Sequence, residues 1–327
     1  TAGREEVAHN LIKQMRQNKM KELSNEHVFY TFAPTLKPAM SVAQNEVFAL
    51  QTKDCFSGRL QSDADTIEAI DWNAINPATG PVAIDGVEPG DIVKISVLDI
   101  ELTGKSVMTI IPGMGLIKGA TKPACVLIGN ENGFLDLPTE NGVLPLPLEL
   151  MIGVFGLAPK IGSFLTSSPG DHGGNMDCNI IQKGASVFLK AAVTGGIFGC
   201  GDVHALMGDG EVLICGAETP AKITLSASVA QEPKLPTPFV ETSEVYATIV
   251  SAKTAEQAYK KAVNEMFFFL TSIAGLNQGD AARLMGLVGN LRFCQVVDSK
   301  VTLRFEFPKS CLGWFGFKGI GPEQPAL

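Results

Sequence analysis

The chain predicts a mainly β protein: a β-sandwich or jelly-roll-like body with a smaller C-terminal α+β part. Three observations carry this reading. Short apolar-rich or alternating runs of strand length recur between residues 28 and 225. Glycine and proline fall between those runs at turn-like intervals, which favours packed antiparallel sheets over alternating βαβ units. Beyond a proline-rich linker at residues 231–238 (QEPKLPTP), the apolar spacing becomes helical.

Taken in order, residues 4–23 read as a polar helix with a narrow stripe of Val7, Leu11, Ile12 and Met15, suited to an oligomer or domain contact. Residues 46–52 (EVFALQT) read as an apolar-rich strand. Residues 91–101 (DIVKISVLDIE) alternate, with Ile92, Lys94, Ser96 and Leu98 opposite Val93, Ile95, Val97 and Asp99, after a tight turn at 87–91 (VEPGD). Further strands are expected at 124–129, 186–190, 210–215 and 222–228. After the linker, 244–251 reads as a strand and 254–274 as the clearest helix. There Thr254 is the N-cap, Gln257 follows three residues on, and Ala258, Ala262, Met266, Phe269 and Ile273 recur at helical spacing. A second helix at 278–288 and a strand pair, 291–297 with 300–307 around Asp298-Ser299, complete the pattern. The expected division is an N-terminal helix (1–23), a β body carrying the site (24–238) and an α+β part (239–327).

At 327 residues the chain exceeds the size at which one core usually stops growing. A hydrophobic content of 45% indicates a packed globular protein. The net charge of −8 implies no basic surface and argues against a nucleic-acid partner. Seven cysteines at irregular spacing, without a CxxC pair, point to a reduced, cytoplasmic compartment. Residues 1–23 are charged throughout, unlike a secretory signal, and no apolar run approaches the roughly 20 residues of a membrane span.

Chemistry concentrates between residues 167 and 218. Two of the four histidines lie here, His172 in PGDHGGNMDCN (169–179) and His204 in GDVHALMGDGE (201–211). Imidazole and carboxylate on glycine-permitted turns suit a divalent metal. Asp202 and His204 stand at i and i+2, so an extended strand would present both on one face. Asp209 and Glu211 repeat that spacing, Glu218 follows, and His172 and Asp177 flank Gly173-Gly174-Asn175.

These segments resemble the acetamidase/formamidase family of metal-dependent amidases, which release ammonia from short aliphatic amides. The resemblance rests on PGDHGGNMD (169–177), GDVHALMGDGE (201–211) and CGAE (215–218). It extends to NPATGPVAIDGVEPGDIVKISVLDI (76–100) and AARLMGLVGNLRFCQVVD (281–298), and so covers roughly residues 28–307. Leu206-Met207 depart from the smaller or more polar residues expected there. The resemblance implies a small-molecule amide substrate, a homo-oligomer, and a divalent ion that activates water and polarises the carbonyl.

On this reading His172, Asp177, Asp202 and His204 supply the metal ligands, with Asp54 of TKDCFSG as a further candidate. The mixed N/O set accepts zinc foremost, or manganese or iron. Asp209 and Glu211 would suit a second, oxygen-liking ion such as calcium. Glu218 is the expected general base and later acid, and the Gly173 and Gly174 N–H groups are expected to help hold the oxyanion. Two alternatives remain. A thiolate of Cys178, Cys200 or Cys215 paired with His172 or His204 could attack an amide covalently. Or the chain is a non-catalytic metal- or ligand-binding β-sandwich, in which metal loss would unfold the domain rather than only silence activity.

Overall fold

The structure is a computed structural model that describes residues 20–321. It is mainly β, as expected. Among the described residues, nine strands form one sheet. In spatial order these are Lys21–Leu23, Val47–Gln51, Ala221–Val229, Ile92–Leu102, Ser186–Lys190, Phe239–Glu241, Val245–Ala252, Val301–Pro308 and Asn290–Gln295. A second, eleven-stranded sheet runs from the hairpin Phe134–Thr139/Gly142–Pro147 through Ala124–Glu131, Ser106–Ile110, Glu218–Thr219, Phe198–His204 and Met151–Leu157 to Gly173–Asn175. Ala78–Ile84 joins it beside Phe198–His204.

The two sheets enclose one core. Phe48, Leu50, Val93 and Ile95 from the first meet Val82, Ile84, Ile152 and Phe155 from the second. Each such side chain, fully buried, contributes about 1.5–3 kcal/mol of transfer free energy. The nine-stranded sheet is also covered on its other face. Along Val245–Ala252, Ala247 and Ile249 belong to the inter-sheet core, whereas Tyr246 and Val250 pack on the helices. This is the period-2 alternation of a strand buried on both sides.

The helices begin where side-chain caps satisfy the first free N–H groups. Helix α1 (Ala255–Phe268) starts with Gln257 N donating to Thr254 Oγ1 at 3.2 Å, and α2 (Gln278–Val288) with Asp280 N donating to Asn277 Oδ1 at 2.9 Å. Ala258, Ala262 and Met266 face inward from α1, and its path continues as a π-helix, Phe269–Ile273, that buries Phe269 and Leu270.

Two expectations need correction. The helix expected at 4–23 lies mostly outside the described residues, and its last three, Lys21–Leu23, form a strand parallel to Val47–Gln51. The strand expected at 210–215 is a turn, because Glu211 and Ile214 take left-handed φ values of 46° and 89°. The turn is clipped to the Asn290–Gln295 strand: Gly210 N donates to Cys294 O at 3.0 Å, and Val296 N to Gly210 O at 3.2 Å. The nine-stranded sheet continues across the 231–238 linker, so strands on both sides of it share one sheet. No helix among the described residues is long and apolar enough to cross a membrane.

Candidate functional site

The strand Phe198–His204 changes neighbours halfway along one edge. Its first half pairs with Ala78–Ile84, Gly201 opposite Ala78, and its end pairs with Glu218–Thr219, His204 opposite Glu218. Its other edge runs along Met151–Leu157. The changeover falls at Asp202, whose φ of 58° is left-handed rather than extended. Asp202 and His204 therefore do not meet as i, i+2 neighbours of a regular strand; the kink brings Asp202 Oδ1 to 3.5 Å from His204 Nε2. Glu218 Oε2 approaches the same nitrogen at 3.2 Å, while its Oε1 accepts the Gly216 N–H at 2.9 Å. His204 Nδ1 lies 3.2 Å from Met207 Sδ.

Asp177 and Glu211 also hold left-handed backbone, with φ of 43° and 46°. Such conformations in non-glycine residues cost about 1–3 kcal/mol each and cluster where a fold positions a site. Asn175 Nδ2 donates to Asp177 Oδ2 at 2.6 Å and to Asp298 Oδ2 at 3.0 Å; Asn76 Nδ2 donates to Asp202 Oδ2 at 2.7 Å. Room for these carboxylates is made at Gly153, where a methyl would overlap Asp177 Oδ1 and stand 2.7 Å from Asp202 Oδ2.

Four buried atoms remain without a hydrogen-bond partner at this point: Asp177 Oδ1, Asp202 Oδ1, His204 Nε2 and Glu218 Oε2. Leaving a buried polar atom unsatisfied costs about 1–3 kcal/mol, and more for a charge, so their convergence fits a bound cation. Two ligand sets have atoms within 4.8 Å of one another, Asp177–His204–Glu211 and Cys55–Asp202–Glu218. Carboxylates, one imidazole and one thiol form a mixed donor set open to a borderline ion such as zinc.

The electrostatics agree. Burial, reinforced by neighbouring carboxylates, holds Asp177 and Glu211 well above the ordinary acid range. Burial raises Glu218 to about 7 against the pull of His204, and raises Asp298 to about 7 against its hydrogen bond from Asn175. Burial opposes the charged form of His204, but Glu218 and Asp202 together carry it well above its usual value. A cavity of about 340 Å³ opens over this floor, bordered by Asn76, Asn175, Asp202, Glu218 and Asp298.

Not every expected residue arrives here. His172 is buried against Phe32 and stacked on Phe164, with centroids 5.2 and 5.0 Å away. It belongs to neither ligand set and lines a different, larger cavity of about 740 Å³ with Lys261 and Lys300. Burial, helped by Lys300, lowers its pKa to about 4. Asp54 is also in neither set: its Oδ1 accepts the N–H groups of Phe56 at 2.9 Å and Gly58 at 3.0 Å, shaping the turn that presents Cys55. Asp209 is in neither set. It is engaged by Arg304 Nη2 at 2.8 Å, Asn179 Nδ2 at 3.0 Å and Arg292 Nη1 at 3.3 Å. The Gly173 N–H is not free for an oxyanion, because it donates to Gly170 O at 3.1 Å. Gly173 and Gly174 both allow close packing: a side chain at either would collide with backbone oxygens, of Phe155 and Ser168 respectively.

The structure adds Cys55, Asn76, Asn175 and Asp298, to none of which the sequence assigns a site role. Asn76 opens the NPATG segment and Asp298 closes the LRFCQVVD segment, and those family-like blocks are the signal that could have found them.

Fold and floor together define a β-sandwich protein with a carboxylate-rich candidate metal centre. The chain belongs to the acetamidase/formamidase family, whose model matches residues 14–160 and 162–300. Among solved structures it is similar to a predicted acetamidase/formamidase from Thermoanaerobacter tengcongensis, 37% identical over 92% of this chain and 99% of that one, with a TM-score of 0.86. An acetamidase from Bacillus halodurans is 35% identical over 91% and 100%, again with a TM-score of 0.86. The formamidase of Methylophilus methylotrophus is 24% identical over 56% of this chain and 59% of its own length. The chain spans about three fifths of the length of the curated relatives it matches.

Proposed function

We propose that this protein is a metal-dependent amidase that hydrolyses short aliphatic amides, of the formamide or acetamide type, to carboxylate and ammonia. The observation that carries the reading is the convergence of four unpartnered buried atoms, on Asp177, Asp202, His204 and Glu218, in a chain of this family. Asp177, His204 and Glu211 would hold the ion, with Asp202 beside them 3.5 Å from His204 Nε2 and Cys55 grouped with Asp202 and Glu218. When bound, a divalent cation supplies Lewis acidity toward water and the amide carbonyl.

The chain's own residues do the rest. Glu218 has one oxygen fixed by the Gly216 N–H and the other 3.2 Å from His204 Nε2, at the border of the cavity. It takes the proton of the attacking water and delivers it to the departing nitrogen. Asn76 and Asn175 orient Asp202, Asp177 and Asp298 through their amide N–H groups. The cysteine alternative finds little support. Burial raises Cys200, and raises Cys215 to about 12 with the Glu218 charge adding to it, so neither is poised as a thiolate. Burial also opposes the thiolate of Cys178, but its hydrogen bond with Cys294 and the Arg304 charge lower it overall; Cys178 borders neither the carboxylate cavity nor the one that His172 lines. Seven free cysteines fit a cytoplasmic location, and a homo-oligomer remains part of the reading.

Ammonia release from formamide and acetamide tests this, on protein as prepared, after chelation, and after adding metal back. Activity is expected to vanish and return, and His204→Ala to lose metal and activity together while staying folded. Unfolding on chelation would favour a structural ion in a non-catalytic sandwich. Metal retained by His204→Ala would sink the ligand role.

A further inference from the structure

The cavity over the carboxylates has two unlike surfaces. Its floor is charged, with Asp202 and Glu218 each leaving one oxygen unpartnered. Its wall is apolar, formed by Phe56, Trp72, Ile75, Ile111, Met114 and Leu165. Trp72, Met114 and Leu165 remain 48%, 37% and 57% exposed. A lone exposed apolar side chain needs no explanation. These three come from separate segments: the turn after Ile67–Ala69, the loop after Ser106–Ile110 and the short strand Phe164–Leu165. Their meeting at the rim of one cavity with an acidic floor describes a receptor for a ligand polar at one end and apolar at the other.

Size points the same way. At roughly 30 Å³ per water, a cavity of about 340 Å³ has room for about eleven water volumes. Formamide or acetamide on the floor would leave the wall wet. A longer acyl chain would displace that water and cover the exposed rim.

Resting on the amidase reading above, we propose that the site prefers primary amides with unbranched acyl chains of about four to six carbons over formamide and acetamide. The amide group sits on the floor by Asp202 and Glu218, and the chain lies along Trp72, Met114 and Leu165. The reaction is unchanged: water adds its oxygen to the carbonyl carbon, the C–N bond breaks, and the nitrogen leaves as ammonia with the proton that Glu218 carries.

The test is kcat/KM for ammonia release by the metal-loaded full chain along the series from formamide to hexanamide. An increase of about 4-fold per added methylene, up to the length that fills the wall, is expected from apolar burial. Trp72→Ala and Leu165→Ala are expected each to lower the hexanamide-to-acetamide ratio of kcat/KM by about 10-fold. A flat or falling series with acetamide turned over, or a ratio unmoved by both variants, would overturn the chain-length preference and leave the amidase standing. Ammonia from no member of the series would overturn both, and the acetamide control separates the two failures.

Discussion

Arg304 Nη2 holds Asp209 Oδ1 at 2.8 Å, and this contact sorts two neighbouring acids into different roles. Asp209 is drawn to Arg304 and Arg292, while Glu211, two residues on, enters the ligand set with Asp177 and His204. On the proposed reading, Asp209→Asn is expected to leave metal stoichiometry unchanged and to cost about 1 kcal/mol of stability, as for a partly exposed charge-assisted bond. Glu211→Gln is expected to weaken metal binding by about 10-fold or more. Inductively coupled plasma analysis of dialysed protein, with urea denaturation beside it, distinguishes the two. Loss of metal from Asp209→Asn would restore that residue as a ligand.

Gly153 supplies the space in which Asp177 and Asp202 stand together. Gly153→Ala would push a methyl into both carboxylates, and is expected to lower metal affinity by about 10- to 100-fold. Competition against a chromophoric chelator measures this, with circular dichroism to show that the sheets persist. Unchanged affinity would mean that the ion does not use these carboxylates.

Glu265 on α1 provides a pH handle away from the centre. Burial raises it from 4.5 to about 7, against the opposing charge of Lys261 at 3.7 Å, while Asp171 adds to the rise. The folded state thus holds a proton that the unfolded chain releases above about 4.5. Stability from this group is fullest below that value and is lost as pH climbs through about 7. Urea midpoints at pH 5 and pH 8 are expected to fall less in Glu265→Gln than in the parent. Equal falls would remove Glu265 from the account.

The cysteines make a separate prediction. Six of the seven are buried, and only Cys311 is partly exposed. Iodoacetamide on the native protein is expected to label Cys311 alone and to leave amide hydrolysis intact. Peptide mapping and residual activity check both, and inactivation would revive the thiol mechanism.

Much of the fold was legible because local pattern and tertiary burial agree. The strand expected at 91–101 forms as Ile92–Leu102, and the helix expected from Thr254 begins with that residue as its cap, where alternation and capping put them. The run 210–215 misled because its apolar residues look like a strand, whereas left-handed backbone at Glu211 and Ile214 makes it a turn. In the site, Asp177, Asp202, His204, Glu211 and Glu218 come from segments that declare themselves by composition. Cys55, Asn76 and Asp298 do not, since only strand register and loop closure bring them to the same floor. His172 sits among glycines as a ligand would, yet Phe32 and Phe164 enclose its ring.

The partner change along Phe198–His204 has a temporal consequence. The floor it creates draws on Cys55 at one end of the chain and Asp298 at the other, with Glu218 clipped to the strand's tip. Contacts so far apart in sequence form late, after the intervening loops have closed. During synthesis, a ribosome-bound chain must have emerged through Asp298 before the cavity can close. The centre is thus among the last features to mature, and ion capture would report completion of folding.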